Sequence, residues 1–87
     1  MYYVTMTDKF MTGWGEAKDK INKLIFACET YEEAEIVSDN ARNQGSQKYI
    51  NITSKKPYYN SNKYYTQVKT KEEYSSWYKE GYFRNYK

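Results

Sequence analysis

Alternating and continuous apolar segments mark four strands along the chain. Residues 1–7, MYYVTMT, alternate between apolar and polar positions and predict a half-buried strand. Residues 48–53, KYINIT, alternate in the same way and place Tyr49 on the outward side. The apolar run KLIFAC at 23–28 is typical of a central strand. YYTQVK at 64–69, in which Lys and Gln recur, predicts an edge strand.

Between the second and third strands, the sequence predicts a helix at about 30–44. Thr30 is suited to the N-cap, Glu33 completes a capping box three residues later, and Gly45 suits the position just after the helix. On the helical wheel, Asn40 points towards solvent. The apolar face consists of Tyr31, Ala34, Val37 and Ala41, with Ile36 beside them.

A second, shorter helix is predicted near the C-terminus. Thr70 and Glu73 form another capping box in front of KEEYSSWYK at 71–79. The aromatic side chains of this segment follow helical spacing, and we expect them either to pack the helix onto the sheet or, as the alternative, to form a docking surface. They are Tyr74, Trp77 and Tyr78.

Together these elements predict one α+β domain over residues 1–87. The order β-β-α-β-β favours a four-stranded antiparallel or mixed sheet, with the helix at 30–44 on one face and the short helix at the C-terminus. The chain holds 39% hydrophobic residues at a mean hydropathy of −1.11, and its core is therefore small. Aromatics make up 20% of the residues, which argues against disorder.

The inventory of reactive side chains argues against catalysis. There is no His, so the commonest general base and metal ligand is absent. The carboxylates cluster near predicted helix starts, where capping explains them. The one Cys, Cys28, lies in an apolar run and is expected to pack as a small hydrophobic residue. We therefore expect a non-catalytic protein with no cofactor and no metal.

Charge divides unevenly between the two halves of the chain. Residues 1–44 carry five basic and eight acidic side chains, whereas residues 45–87 carry nine basic and three acidic ones. This asymmetry predicts a surface with one acidic and one basic side, provided that the fold keeps the halves apart.

The basic half contains the stretch KKPYYNSNKYYTQVK at 55–69, which has no acidic residue. Tyr and Lys on outward strand and loop positions fit a platform that stacks bases and neutralises phosphates. An ordinary Tyr-covered sheet with solvated lysines fits the same residues, and strand alternation sends only one ring of Tyr64-Tyr65 to each side. The candidate contact residues in this stretch are Lys55, Lys56, Tyr58, Tyr59, Lys63, Tyr65 and Lys69.

Trp14 is one more candidate contact residue. It stands between Gly13 and Gly15, which predict a turn in the connection between the first two strands. The ring either folds back onto the sheet or serves as an exposed aromatic anchor for a partner.

Neither a signal peptide nor an apolar run long enough to span a bilayer is visible. The sequence therefore favours a cytoplasmic protein with no membrane partner. An exposed edge strand at 64–69 could pair two copies into a homodimer.

Four segments, in this order along the chain, resemble a group of short proteins encoded by phages and prophages of Gram-positive bacteria. They are YYVTMTDKFMTGWGEAKDKINKLIF, YEEAEIVSDNA, KYINITSKKPYY and SSWYKEGYF. The resemblance implies a setting in the cytoplasm of a bacterial host. Short phage proteins of this kind commonly act by binding, including as inhibitors of host defence nucleases such as CRISPR effectors.

Two functional hypotheses follow. The leading one is a phage accessory protein that binds a host protein or nucleoprotein complex as an anti-defence, anti-CRISPR-like inhibitor. The net charge of +3 is opposite in sign to that of an acidic protein that mimics DNA. The alternative is a small single-stranded DNA- or RNA-binding protein that uses the Tyr and Lys surface.

Overall fold

Four strands and one long helix make up most of the computed structural model, which describes residues 1–9 and 19–84. The elements are β1 (Tyr2–Asp8), β2 (Ile21–Cys28), α1 (Tyr31–Gln44), β3 (Gln47–Thr53), β4 (Tyr64–Lys69) and a short 3₁₀ helix (Ser75–Tyr78). This arrangement confirms the predicted α+β fold with one main helix and a short C-terminal helix.

The sheet is mixed, with strand order β3-β1-β2-β4. β1 pairs antiparallel with both β2 and β3, and β2 pairs parallel with β4. The predicted positions of two strands are confirmed, since β2 lies inside the sheet and β4 lies at an edge.

Two crossover connections cover the two faces of this sheet. The path from β2 through α1 to β3 and the path from β3 to β4 both join parallel strands, and they cross the sheet in opposite directions. Because such crossovers are right-handed, the two must lie on opposite faces. α1 packs on one side of the sheet, called the helix face. Residues 54–63, called the crossover segment, connect β3 to β4 on the other side, called the outer face, where the Tyr59 ring centre lies 5.3 Å from Lys23 Nζ.

Side chains of the helix face form the main core. Ala34 and Ala41 are fully buried, and their small size lets α1 approach the sheet closely. The core also contains Val4, Met6, Leu24, Phe26, Cys28, Val37 and Tyr78.

The predicted caps of α1 are confirmed. The Glu33 N–H donates to Thr30 Oγ1 at 3.1 Å, and the Glu29 N–H donates to Glu33 Oε1, also at 3.1 Å. Glu33 thus reaches one residue further back than in the usual capping box. Gly45 adopts a left-handed conformation with φ of 95°, which a residue without Cβ adopts at low cost.

Asn40 does not face solvent, so the prediction for this residue is wrong. It is fully buried, and its Nδ2 donates to the carbonyls of Trp77 and Lys79 at 2.8 Å each. Its Oδ1 accepts a hydrogen bond from the Phe83 N–H at 3.3 Å. The C-terminal segment packs against this side of α1, so Asn40 satisfies three backbone groups of that segment.

The C-terminal helix is shorter than the predicted segment 71–79. Residues 71–73 form a turn in which the Glu73 N–H donates to the Thr70 carbonyl at 3.2 Å, and only Ser75–Tyr78 is helical. The expected packing onto the sheet is nevertheless present. The Trp77 ring lies 5.0 Å from the Phe26 ring, and the Tyr78 hydroxyl donates to the Ala27 carbonyl at 2.7 Å.

The outer face is more buried than the alternating pattern of β1 predicts. Thr5 and Thr7 are each 7% exposed, and Ile25 is 1% exposed. Alternation predicts a half-buried strand, but it cannot show that a distant segment of the chain crosses the other face.

Cys28 is fully buried, as expected for a small packing residue. Burial, reinforced by the nearby Glu33 charge, raises the pKa of its thiol to about 12.

We therefore expect Cys28 to be inert in the folded protein. At pH 8 about one thiol in ten thousand is ionised, and the thiolate is the reactive form. A chromogenic disulfide reagent should label the thiol rapidly only after denaturation by urea. Because the folded pKa exceeds the unfolded one, the contribution of the neutral thiol to stability is complete below about pH 9. It is lost as the pH rises towards 12, and equally fast labelling of native protein at pH 8 would contradict this account.

Candidate nucleic-acid interface on the outer face

The crossover segment presents cations and an aromatic ring to solvent. Lys55, Lys56 and Lys63 are exposed, and Tyr58 is 89% exposed. The segment is attached to the sheet at its end, where the Ile21 N–H donates to the Lys63 carbonyl at 3.0 Å. This hydrogen bond positions the end of the segment that carries Lys63.

Beneath this segment, the ammonium group of Lys23 lies among three tyrosine rings. Its Nζ is 5.3 Å from the ring centre of Tyr59, 5.8 Å from that of Tyr64 and 5.9 Å from that of Tyr49. Burial lowers the pKa of Lys23. Cation–π attraction of about 0.5–2 kcal/mol per ring compensates part of the cost of burying the charge. Lys23 thus gathers rings from β3, β4 and the crossover segment into one surface.

A β-bulge orients Tyr49 in this surface. The register between β1 and β3 shifts between Thr5 and Thr7, and Tyr49 has a φ of 56°. Left-handed backbone is strained for an aromatic residue and is found where the surrounding structure enforces it. The bulge turns the ring outwards, and 71% of Tyr49 is exposed.

The strain at Tyr49 can be measured by comparing two substitutions. Tyr49→Gly should be more stable than Tyr49→Ala by about 1 kcal/mol, since only Gly adopts this conformation without steric cost. Both variants lose the same ring, so their difference in urea denaturation isolates the backbone contribution. An Ala variant as stable as the Gly variant would show that the left-handed conformation is not retained.

The structure divides the predicted contact residues between two faces. Lys55, Lys56, Tyr58, Tyr59 and Lys63 lie on the crossover segment, on the outer side. Tyr65 and Lys69 instead pair with Asn22 and Phe26 on the helix face, where Lys69 Nζ lies 4.5 Å from the Tyr74 ring centre. Trp14 lies outside the described residues.

Sequence reasoning missed residues that the sheet brings to the same surface. These are Lys9, Lys23, Lys48, Tyr49 and Tyr64. The alternation of β3 already predicted that Tyr49 faces outwards. That Lys23 lies on the same face follows only from the register between β1 and β2, which the sequence does not show. For the Tyr64-Tyr65 pair, the parallel register with β2 places Tyr64 beside Ile21 on the outer face.

The opposite side of the molecule has a different charge. A groove between α1 and the C-terminal segment is lined by four carboxylates and two arginines: Glu32, Glu35, Asp39, Glu80, Arg42 and Arg84. Arg84 lies 3.5 Å from Asp39, so part of this charge is paired. The outer face carries lysines, whereas carboxylates outnumber arginines in this groove. These two sides do not follow the two halves of the chain, since Lys9 and Lys23 lie on the outer face and Glu80 lines the groove.

Comparison with protein-family models, with curated proteins and with solved structures finds no match. Within residues 1–9 and 19–84, no Cys, Asp and Glu side chains group as a metal site would require. In the same part of the chain, no helix has both the length and the apolar character needed to cross a bilayer. The interpretation of the outer face therefore depends on its own geometry.

Proposed function

We propose that this protein is a non-catalytic binding protein that holds single-stranded DNA or RNA on its outer face. The observation that supports this most strongly is the convergence of Lys and Tyr from four separate parts of the chain around Lys23. Lysines neutralise phosphates, and exposed tyrosine rings stack on bases.

Exposed rings favour single strands over duplexes. Tyr49 is 71% exposed and Tyr58 is 89% exposed, so each has a ring available to an unpaired base. Stacking of one base contributes about 1–3 kcal/mol and does not depend strongly on sequence. In a duplex the bases are already stacked on each other, and only the lysine contacts would remain.

Titration of labelled oligonucleotides tests the proposal. Fluorescence anisotropy should show tighter binding to single strands than to duplexes of equal length, for DNA or for RNA. Three to six phosphate contacts predict a slope of about −2 to −4 in a plot of log affinity against log salt. Absence of binding at low salt, or a preference for duplexes, would contradict it.

The resemblance to phage proteins supports a second proposal, in which the ligand is a host nucleoprotein complex of a defence system. The exposed ring of Tyr58 also suits a protein contact, since Tyr is enriched at interface hot spots. Phage infection with and without the gene, in hosts with and without CRISPR, tests this role. An effect confined to defence-positive hosts is expected, and equal infection in all backgrounds would contradict it.

A further inference from the structure

A pocket of about 410 Å³ opens on the outer face beside Lys23. It lies where β1 ends and where the other three strands begin. Its volume falls within the range of small-molecule sites, about 300–1,000 Å³. Among the described residues its polar and aromatic lining comprises Thr7, Lys9, Lys23, Lys48, Tyr49 and Tyr64.

A buried polar group without a hydrogen-bond partner belongs to Thr7, one of the residues that line this pocket. Thr7 is 7% exposed, and its Oγ1 has no hydrogen-bond partner among the described residues. Native structures rarely leave a buried hydroxyl without a hydrogen-bond partner, because its removal from water is then uncompensated. The Thr7 hydroxyl is therefore a candidate hydrogen-bonding group for a ligand in this pocket.

Two lysines flank this hydroxyl across the sheet. Thr7 pairs with Lys48 on β3 and with Lys23 on β2, so the three residues form one row on the outer face. Lys9 follows two residues after Thr7 and also lines the pocket. The groups here are hydrogen-bond donors and cations, and an anion with several oxygens complements them.

The tyrosine rings in the pocket indicate which class of anion fits it. Tyr49 and Tyr64 line the same pocket, and the bulge holds the Tyr49 ring in position at a cost in backbone strain. A free inorganic anion would leave these rings without a contact. A phosphate attached to a planar base uses both the lysines and the rings.

We propose that this pocket binds one nucleoside monophosphate unit, with the phosphate near Thr7, Lys9 and Lys48 and the base against Tyr49 or Tyr64. The inference deepens the proposed function and rests on it, because this unit would be the anchored nucleotide of a bound single strand. The crossover segment would then contact the neighbouring nucleotides.

Titration of the full chain with AMP, adenosine and inorganic phosphate, followed by amide NMR shifts, tests the pocket directly. AMP should shift the amides around Thr7, Lys48 and Tyr49, and adenosine and phosphate should each bind about tenfold more weakly. Equal binding of phosphate and AMP would overturn the nucleotide assignment. Shifts confined to other residues would overturn the location.

Substitution of Thr7 provides a second, independent test. Thr7→Val keeps the shape of the side chain and removes the hydroxyl, and it should weaken AMP binding about tenfold. Thr7→Ser keeps the hydroxyl and should retain binding. Thr66→Val, at an exposed position in the same row of the sheet, is the matched control. Unchanged AMP affinity in folded Thr7→Val protein would remove Thr7 from the site.

Oligonucleotide binding separates this inference from the proposed function. If oligonucleotides bind and AMP does not, the pocket assignment is wrong and the interface stands. If AMP binds at this pocket and single strands do not, the pocket assignment stands and the proposed function is wrong.

Discussion

Replacing Asn40 with Ala should lower the free energy of unfolding by about 3 kcal/mol. The carbonyls of Trp77 and Lys79 and the N–H of Phe83 all lose their hydrogen bond to Asn40, and the Lys79 carbonyl keeps only the one from the Tyr82 N–H, at 3.2 Å. These groups join the C-terminal segment to α1, so the loss also loosens the aromatic packing against Phe26. For a domain of this size, the midpoint of thermal unfolding should fall by about 15 °C.

Urea denaturation followed by circular dichroism measures this effect. Asn43→Ala is the matched control, because Asn43 lies one helical turn further along α1 and its side chain, among the described residues, bonds only that of Asp39, at 3.3 Å. That variant should lose at most about 0.5 kcal/mol. If the Asn40 and Asn43 variants unfolded at the same urea concentration, the C-terminal segment would not be held by Asn40.

Replacing Lys55, Lys56 and Lys63 together with Ala should weaken single-strand binding by about 100-fold at 0.1 M salt. This estimate assumes that each lysine contacts one phosphate. The slope of log affinity against log salt should become less steep by about 2. All three side chains are exposed, so the variant should fold as the parent does.

A charge-matched triple variant controls for the change in net charge. Arg42, Lys79 and Arg84 are exposed and lie on α1 or the C-terminal segment, away from the crossover segment. Their replacement with Ala also removes three positive charges. It should change the affinity by less than about threefold, because at this distance only a screened long-range attraction is lost. Equal losses in the two triple variants would indicate attraction to net charge rather than a defined surface.

Local features of the sequence predicted the helix and its ends well. Thr30, Glu33 and Gly45 determine the limits of α1 through contacts within a few residues, and these contacts are readable from sequence spacing. The position of Asn40 was predicted wrongly, because a helical wheel shows only which side of the helix is apolar. Its partners lie about 40 residues away, and no local pattern indicates that the C-terminal segment returns to that side.

The candidate interface depends on the topology of the sheet to a greater extent than the helix does. The composition of 55–69 indicated a basic aromatic surface, but the strand order determined which of its side chains meet. Tyr64 joins Lys23 only because β4 pairs with β2 in one particular register, and a shift of one residue would bring Tyr65 there instead. Alternation correctly placed Tyr49 on the outward side, but it does not reveal the bulge and the left-handed backbone at that position.

Photochemical cross-linking of a single-stranded oligonucleotide, followed by identification of the linked peptides, tests the central claim most directly. The proposal predicts cross-links on Tyr49, Tyr58 or Tyr64, concentrated in residues 48–64, and their loss in the Lys55, Lys56 and Lys63 variant. Cross-links confined to α1 or to the segment 75–84 would contradict it, because the strand would then lie on the acidic side of the molecule.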